Sequence, residues 1–196
     1  MIKRYYYSDP ISIFLKNTTD EILGILSQSN EFSLEQTQKN AWLQQIKILK
    51  DSLLKFEGHI FFEYSIPRMG RRIDVILLIE NVIFILEFKV GEKIFTSSAV
   101  DQVMDYSLDL KNFHETSHSH FIAPVLIVTK AKKGFVNIST TPHNDNMLFP
   151  IKTNPSMLSN ILENVLRFAE GEKIDIEKWA SGKYSPTPTI IEAAMV

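Results

Sequence analysis

The sequence predicts a mixed α/β domain whose core runs α-β-β-β-α-β. Two apolar, β-branched runs, Ile73–Ile79 and Val82–Val90, flank Glu80-Asn81 and read as a hairpin with a tight turn. Apolar residues recur at helical spacing on either side of it, as Trp42, Ile46, Leu49 and Leu53 before and as Ala99, Val103, Tyr106, Leu110 and Phe113 after. A further apolar run, Phe121–Thr129, is reached only through the second of these helices, which favours a parallel crossover and a mixed sheet.

Taken in order, residues up to about Ser29 read as a helical lead-in, with Asp20–Leu26 short but periodic. Ser33 followed by Gln36 forms a plausible capping box for the helix that carries Trp42, and Gly58 is expected to end that helix. His59–Tyr64 is rich in aromatic and branched residues and predicts a strand, closed by Ile66-Pro67. The hairpin follows and Gly91 breaks its ladder; a helix is then expected from Thr96 to Phe113. Asn154-Pro155 opens a late helix through Phe168, since proline suits the first turn. A short amphipathic piece carries Ile174, Ile176 and Trp179, and the Pro-rich, polar stretch beyond Ser181 reads as a linker.

With 196 residues, 44% of them hydrophobic, the chain suits one well-cored domain. Met1–Tyr7 lacks the apolar core of a signal peptide and no run approaches a membrane span, so the expected location is the cytoplasm. The absence of cysteine excludes disulfides, thiolate zinc sites and cysteine nucleophiles. A formal net charge of −2 argues against a strongly basic, nonspecific nucleic-acid binder. Local basic clusters exist, Arg68, Arg71 and Arg72 before the hairpin and Lys130, Lys132 and Lys133 after the next strand. They flank a phosphate backbone if the fold brings them together, and are solvated loop charges if it does not.

The chemistry concentrates at the open end of the hairpin. A turn at Glu80-Asn81 pairs Ile79 with Val82, and counting outward sets Asp74 opposite Glu87 on a shared face. Opposed residues have Cβ atoms roughly 4.5–5.5 Å apart, where two like charges destabilise a sheet unless something offsets them. A divalent cation would do so, and oxygen donors suit Mg²⁺ or Mn²⁺. Lys89 follows Glu87 by two residues, and the strand period returns it to the same side. The bland alternative is three solvated residues at a hairpin mouth, but the flanking residues are apolar on both faces, so the hairpin is expected to be central and covered.

Asp74, the run Glu87-Phe88-Lys89 and the helical spacing of Gln102 and Tyr106 together resemble the PD-(D/E)XK nuclease superfamily, in its RecB-like branch. The proline that names the superfamily is replaced here by Ile73, at a position that supplies no ligand in the family. Stretches Gln38–Trp42, Phe62–Arg68, Arg72–Val75, Leu86–Gly91 and Asp101–His114 extend the resemblance to the N-terminal nuclease-like segment of bacterial proteins that continue into a P-loop ATPase or helicase module.

The resemblance implies a restriction-endonuclease-like fold over residues 1–180 and a linker over 181–196 leading toward an ATPase module. It further implies Mg²⁺- or Mn²⁺-dependent hydrolysis of phosphodiesters, with nucleic acid, DNA first, as substrate. Asp74, Glu87 and the carbonyl of Phe88 would hold the metal, Lys89 would steady the hydroxide or the developing charge, and Gln102 and Tyr106 would border the site. Tyr106 could equally belong to the core. A further acid often comes from the first core helix, for which Glu35 is the first candidate and Gln38 and Glu63 are alternatives. No phosphate-cradling G-x4-G-K-[S/T] occurs, so an ATPase would act in cis or trans from outside these residues.

Two other readings stand beside this one. A noncatalytic module could keep the fold for nucleic-acid binding or protein docking. His114, His118 and His120 could hold zinc, although a cationic His114 at a helix C-terminus, with its neighbours in a polar loop, is the simpler expectation.

Overall fold

The computed structural model describes residues 4–29, 36–67, 70–134 and 136–186. Six strands form one mixed sheet in sequential order: β1 (Tyr7–Pro10), β2 (His59–Ile66), β3 (Arg71–Ile79), β4 (Val82–Lys89), β5 (Phe121–Val128) and β6 (Ile151–Thr153). The first three pairings are antiparallel, and β4–β5 and β5–β6 are parallel. Helices α1 (Ile11–Lys16), α2 (Thr19–Ser29), α3 (Gln36–Ser52) and α5 (Leu158–Phe168) cover one face; α4 (Ser97–Phe113) and α6 (Ile176–Ala180) cover the other. The order α3-β2-β3-β4-α4-β5 is the expected core.

Both faces of the hairpin are buried, as its unbroken apolar runs require. Val75, Leu77, Phe84 and Leu86 pack with Trp42, Ile46 and Leu49 of α3, while Ile76, Leu78, Ile83 and Ile85 pack with Val103, Tyr106 and Leu110 of α4. Each such side chain withdrawn from water contributes about 1.5–3 kcal/mol, so this sandwich holds the hairpin firmly in place. The helix α4 starts where Thr96 accepts a hydrogen bond from the N–H of Ala99 at 3.3 Å, a standard N-cap.

Several elements differ from expectation. The lead-in is not wholly helical, because Tyr7–Pro10 adds an edge strand to β2; four residues ending in proline carry no alternation, and an edge is where proline is tolerated. β6 has only three residues, too few for a periodic signal. Helix α3 ends at Ser52, so Gly58 is not its stop. Gly58 instead has φ +145°, and a Cβ there would overlap the carbonyl oxygen of Leu78 on β3. The late helix begins with a 3-10 turn at Pro155–Met157 before α5. Ser33, the first residue of the proposed capping box, lies outside the described residues.

His114 is corrected from cation to neutral core residue. It is fully buried, its Nδ1 lies 2.7 Å from Ser117 Oγ, and burial, aided by the Arg4 charge, pushes its pKa down to about 3. Its ring packs against Trp179, Tyr64 and Tyr184, and the Trp179 indole N–H donates to Ser117 Oγ at 2.9 Å. Residues 181–186, expected to start a linker, lie along this cluster: Ser185 N–H donates to the Phe113 carbonyl and Glu115 N–H to that of Lys183. Residues 187–196 fall outside the described part. No described helix is long and apolar enough to cross a membrane.

Gly58→Ala is expected to destabilise the fold by about 1–3 kcal/mol for the backbone alone, with a further loss from the overlap with Leu78. Chemical denaturation of the two proteins checks this, and an unchanged midpoint would contradict it.

Candidate functional site

Regular pairing of β3 with β4 runs from Ile79↔Val82 to Val75↔Leu86 and then stops. The next step outward would set Asp74 against Glu87, but the ladder does not reach that pair, and the shared face expected from the hairpin count is not kept: Asp74 bonds toward α3 and Glu87 toward α4. Asp74 instead reaches across the opening, and its Oδ2 accepts the Phe88 N–H at 2.8 Å. The Lys89 carbonyl is taken from the β5 side by Thr129 N–H at 3.2 Å. A strand residue turns its N–H and C=O to the same side, so the Phe88 carbonyl faces the Asp74 side of the gap.

Glu87 is buried at the end of β4, on the α4 side. Lys89 Nζ donates to Glu87 Oε1 and to Gln102 Oε1, each at 3.0 Å, and Gln102 Nε2 donates to the Tyr106 hydroxyl at 2.9 Å. Tyr106 is 2% exposed, so its two roles coincide: its ring belongs to the core and its hydroxyl orients Gln102. Helix α4 therefore fixes the ammonium through one glutamine.

Helix α3 approaches from the opposite face. Gln45 Nε2 donates to Asp74 Oδ2 at 3.4 Å, and Trp42 Nε1 and Gln38 Nε2 donate to Glu63 Oε1 at 2.8 and 3.4 Å. Glu63 has φ +53°, a left-handed backbone in the middle of β2. Phe62↔Val75 and Tyr64↔Ile73 pair on either side of it, so Glu63 stands across from Asp74 where the β2–β3 ladder is also interrupted. The alternation slips there: Phe61 and Tyr64 both pack on the α4 side, as do Ile73 and Ile76. A non-glycine residue at positive φ costs on the order of 1–3 kcal/mol and concentrates at functional sites. Gln45 was missed by sequence reasoning, although it takes an i+3 place in the buried Trp42 stripe where an apolar residue is normal. Glu35 lies outside the described residues, and Gln38 touches Glu63 but not Asp74.

Electrostatically the three acids act as one group. Burial, then the Glu87 and Glu63 carboxylates, hold the Asp74 carboxyl well above the usual range, against the opposing Phe88 hydrogen bond and the Lys89 charge. Burial likewise raises Glu87, with Lys89 opposing and Glu63 adding. Glu63 is raised by burial and lowered by the Trp42 hydrogen bond and Arg72. Glu87 Oε2 and Gln45 Oε1 are buried without a hydrogen-bond partner among the described residues, a condition that costs about 1–3 kcal/mol for each acceptor.

Among the described residues no three His, Cys, Asp or Glu side chains converge as a ready cage for a metal ion. The donor set at the gap is instead two carboxylates and a backbone carbonyl, with one carboxylate oxygen unsatisfied. That fits Mg²⁺ or Mn²⁺, which take one or two carboxylates and complete their shell with water. Both basic clusters reach this end of the sheet. Exposed Arg71 and Arg72 open β3 beside Asp74, and Lys130 follows β5, its N–H bonded to the Glu92 carbonyl in the loop after Lys89. Arg68 lies outside the described residues. No protein-family model, curated protein or solved structure matches the chain.

A carboxyl with a raised folded-state pKa binds its proton more tightly folded than unfolded. Stability therefore grows as pH falls through the folded value toward the ordinary carboxylate value, and above the folded value the ionised group is a burden. Asp74→Asn, whose amide oxygen can still accept from Phe88, should accordingly melt at a higher temperature than wild type near neutrality in metal-free buffer. The difference should narrow on acidification. A variant less stable at every pH would contradict the burial of charge at this position.

Proposed function

We propose that this protein is a metal-dependent nuclease domain of the restriction-endonuclease-like type, RecB-like branch, hydrolysing phosphodiester bonds in DNA. What carries the reading is the meeting of Asp74, Glu87 and Lys89 where the central hairpin opens, with both carboxyls raised and Glu87 Oε2 unsatisfied. An ATPase or helicase module, in cis or trans, is the expected partner, and the cytoplasm the expected location.

Asp74, Glu87 and the Phe88 carbonyl would hold Mg²⁺ or Mn²⁺. When bound, the ion supplies Lewis acidity and lowers the pKa of a water molecule. The chain's own residues do the rest. Lys89 has three ammonium donors, two of them bound by Glu87 and Gln102, which leaves one for a phosphoryl oxygen. Because Gln102 is anchored by Tyr106, the ammonium is oriented before substrate arrives, and it offsets negative charge as that charge grows on the phosphorus oxygens. Glu87 is buried and Asp74 half-buried, which strengthens these interactions relative to open water. Arg71, Arg72 and Lys130 can neutralise phosphates on either side of the scissile bond.

Incubation of labelled DNA with Mg²⁺ or Mn²⁺ should give cleavage that EDTA stops. Asp74→Ala and Lys89→Ala should each lower the rate by about 100-fold or more, and Gln102→Ala, which only loosens Lys89, by less. Binding without cleavage, indifferent to metal and to both alanine variants, would instead favour a docking module. Undiminished cleavage by Lys89→Ala would assign the activity to a contaminant.

A further inference from the structure

A cavity of about 310 Å³ opens next to the carboxylates, lined by Arg4, Tyr5, Tyr6, Ser29, Glu63, Ser65 and Arg72. It adjoins the site twice over. Glu63 stands across from Asp74 in the sheet, and Arg72 precedes Asp74 by two residues. The Arg72 guanidinium lies over the Tyr6 ring, its carbon 4.5 Å from the ring centre, and Tyr6 is itself braced edge-on against Trp42 of α3. Arg4 is engaged elsewhere, donating to the Gly182 carbonyl at 2.6 Å and stacking over Tyr184. Of the two guanidiniums, the one left to a ligand here is therefore that of Arg72, which also steadies the Glu63 carboxylate.

A guanidinium is planar and offers a flat face, and Arg72, seated over the Tyr6 ring, is exposed. Such a face accepts a nucleobase, because stacking needs a plane and not a particular edge. We propose that this cavity receives an unpaired nucleotide next to the scissile phosphate, its base stacked on the Arg72–Tyr6 pair, so that the preferred substrate is single-stranded. The proposal rests on the nuclease reading for the position of the scissile bond.

The recess itself favours an unpaired base over a duplex. A base enters a cavity lined by Tyr6, Glu63 and Arg72 only when it is turned away from a partner, since a paired base presents just its edge.

The test is equilibrium binding in EDTA, which removes turnover from the measurement. A fluorescein-labelled mixed-sequence oligonucleotide is compared with its blunt duplex on wild type, Arg72→Ala, Arg72→Lys and Lys173→Ala. Lys173 pairs with Glu80 at the hairpin turn, the far end of the sheet, and serves as control. The expected result is tighter binding of the single strand and a loss of about tenfold in both Arg72 variants, the scale of one base stack, with Lys173→Ala unchanged. Lysine keeps the charge and lacks the plane. Full affinity in Arg72→Lys or in Arg72→Ala, or equal binding of the duplex, would overturn the proposal. Because binding is read without cleavage, the two readings fail separately. Stacking-dependent binding without Mg²⁺-dependent cleavage would remove the nuclease reading alone; cleavage with binding indifferent to Arg72 would remove the cavity proposal alone.

Discussion

Holding like charges close together in a partly dehydrated gap of the sheet is the constraint on which the rest of this structure depends. Asp74, Glu87 and Glu63 sit where the β3–β4 ladder ends and the β2–β3 ladder is interrupted, and each is raised first by burial. Carboxylates in water would repel one another weakly; withdrawn from it they repel strongly. The fold answers with donors delivered separately from each face. The Phe88 N–H and Gln45 hold Asp74, Trp42 and Gln38 hold Glu63, and Lys89 holds Glu87. One oxygen of Glu87 and one of Gln45 are still left over, and that residue of unmet valence is what a cation or water shell would satisfy.

The two helical layers explain why such an arrangement can persist. Helix α3 anchors one face through Trp42, Ile46 and Leu49 and uses the same stripe to present Gln38 and Gln45; helix α4 does the equivalent on the other with Val103, Tyr106 and Leu110, presenting Gln102. Polar groups placed by packed helices are held more narrowly than groups on loops. The left-handed turn of Glu63 belongs to the same arrangement. It shifts the alternation of β2 so that Tyr64 joins the α4 core while the Glu63 carboxyl meets α3. Backbone strain at this point is offset by the apolar packing on either side.

Much of this was legible in the sequence, and the parts that were not have common causes. The hairpin register followed from a two-residue turn and a period of two, which the structure continues up to Val75↔Leu86. Lys89, Gln102 and Tyr106 were placed by simple spacing on a strand and a helix and do touch. Edge strands β1 and β6 escaped because four and three residues carry no period. The phase slip at Glu63 has no local signature, since it is imposed by contacts with a helix that lies more than twenty positions earlier in the chain. His114 looked like a helix-end cation; only the arrival of Trp179 and Tyr184 from the C-terminal segment turned its surroundings apolar. Gln45 could have been found, as a lone amide inside an otherwise apolar stripe.

The central proposal is that the Asp74 and Glu87 carboxylates and the Phe88 carbonyl would together hold one divalent ion at the end of the hairpin. A crystal of the protein grown with Mn²⁺ and measured at a wavelength where manganese scatters anomalously tests it directly. The account predicts an anomalous peak in contact with both carboxylates and the Phe88 oxygen, absent from an Asp74→Ala crystal. A well-ordered site without that peak at saturating Mn²⁺, or a peak elsewhere on the molecule only, would contradict it.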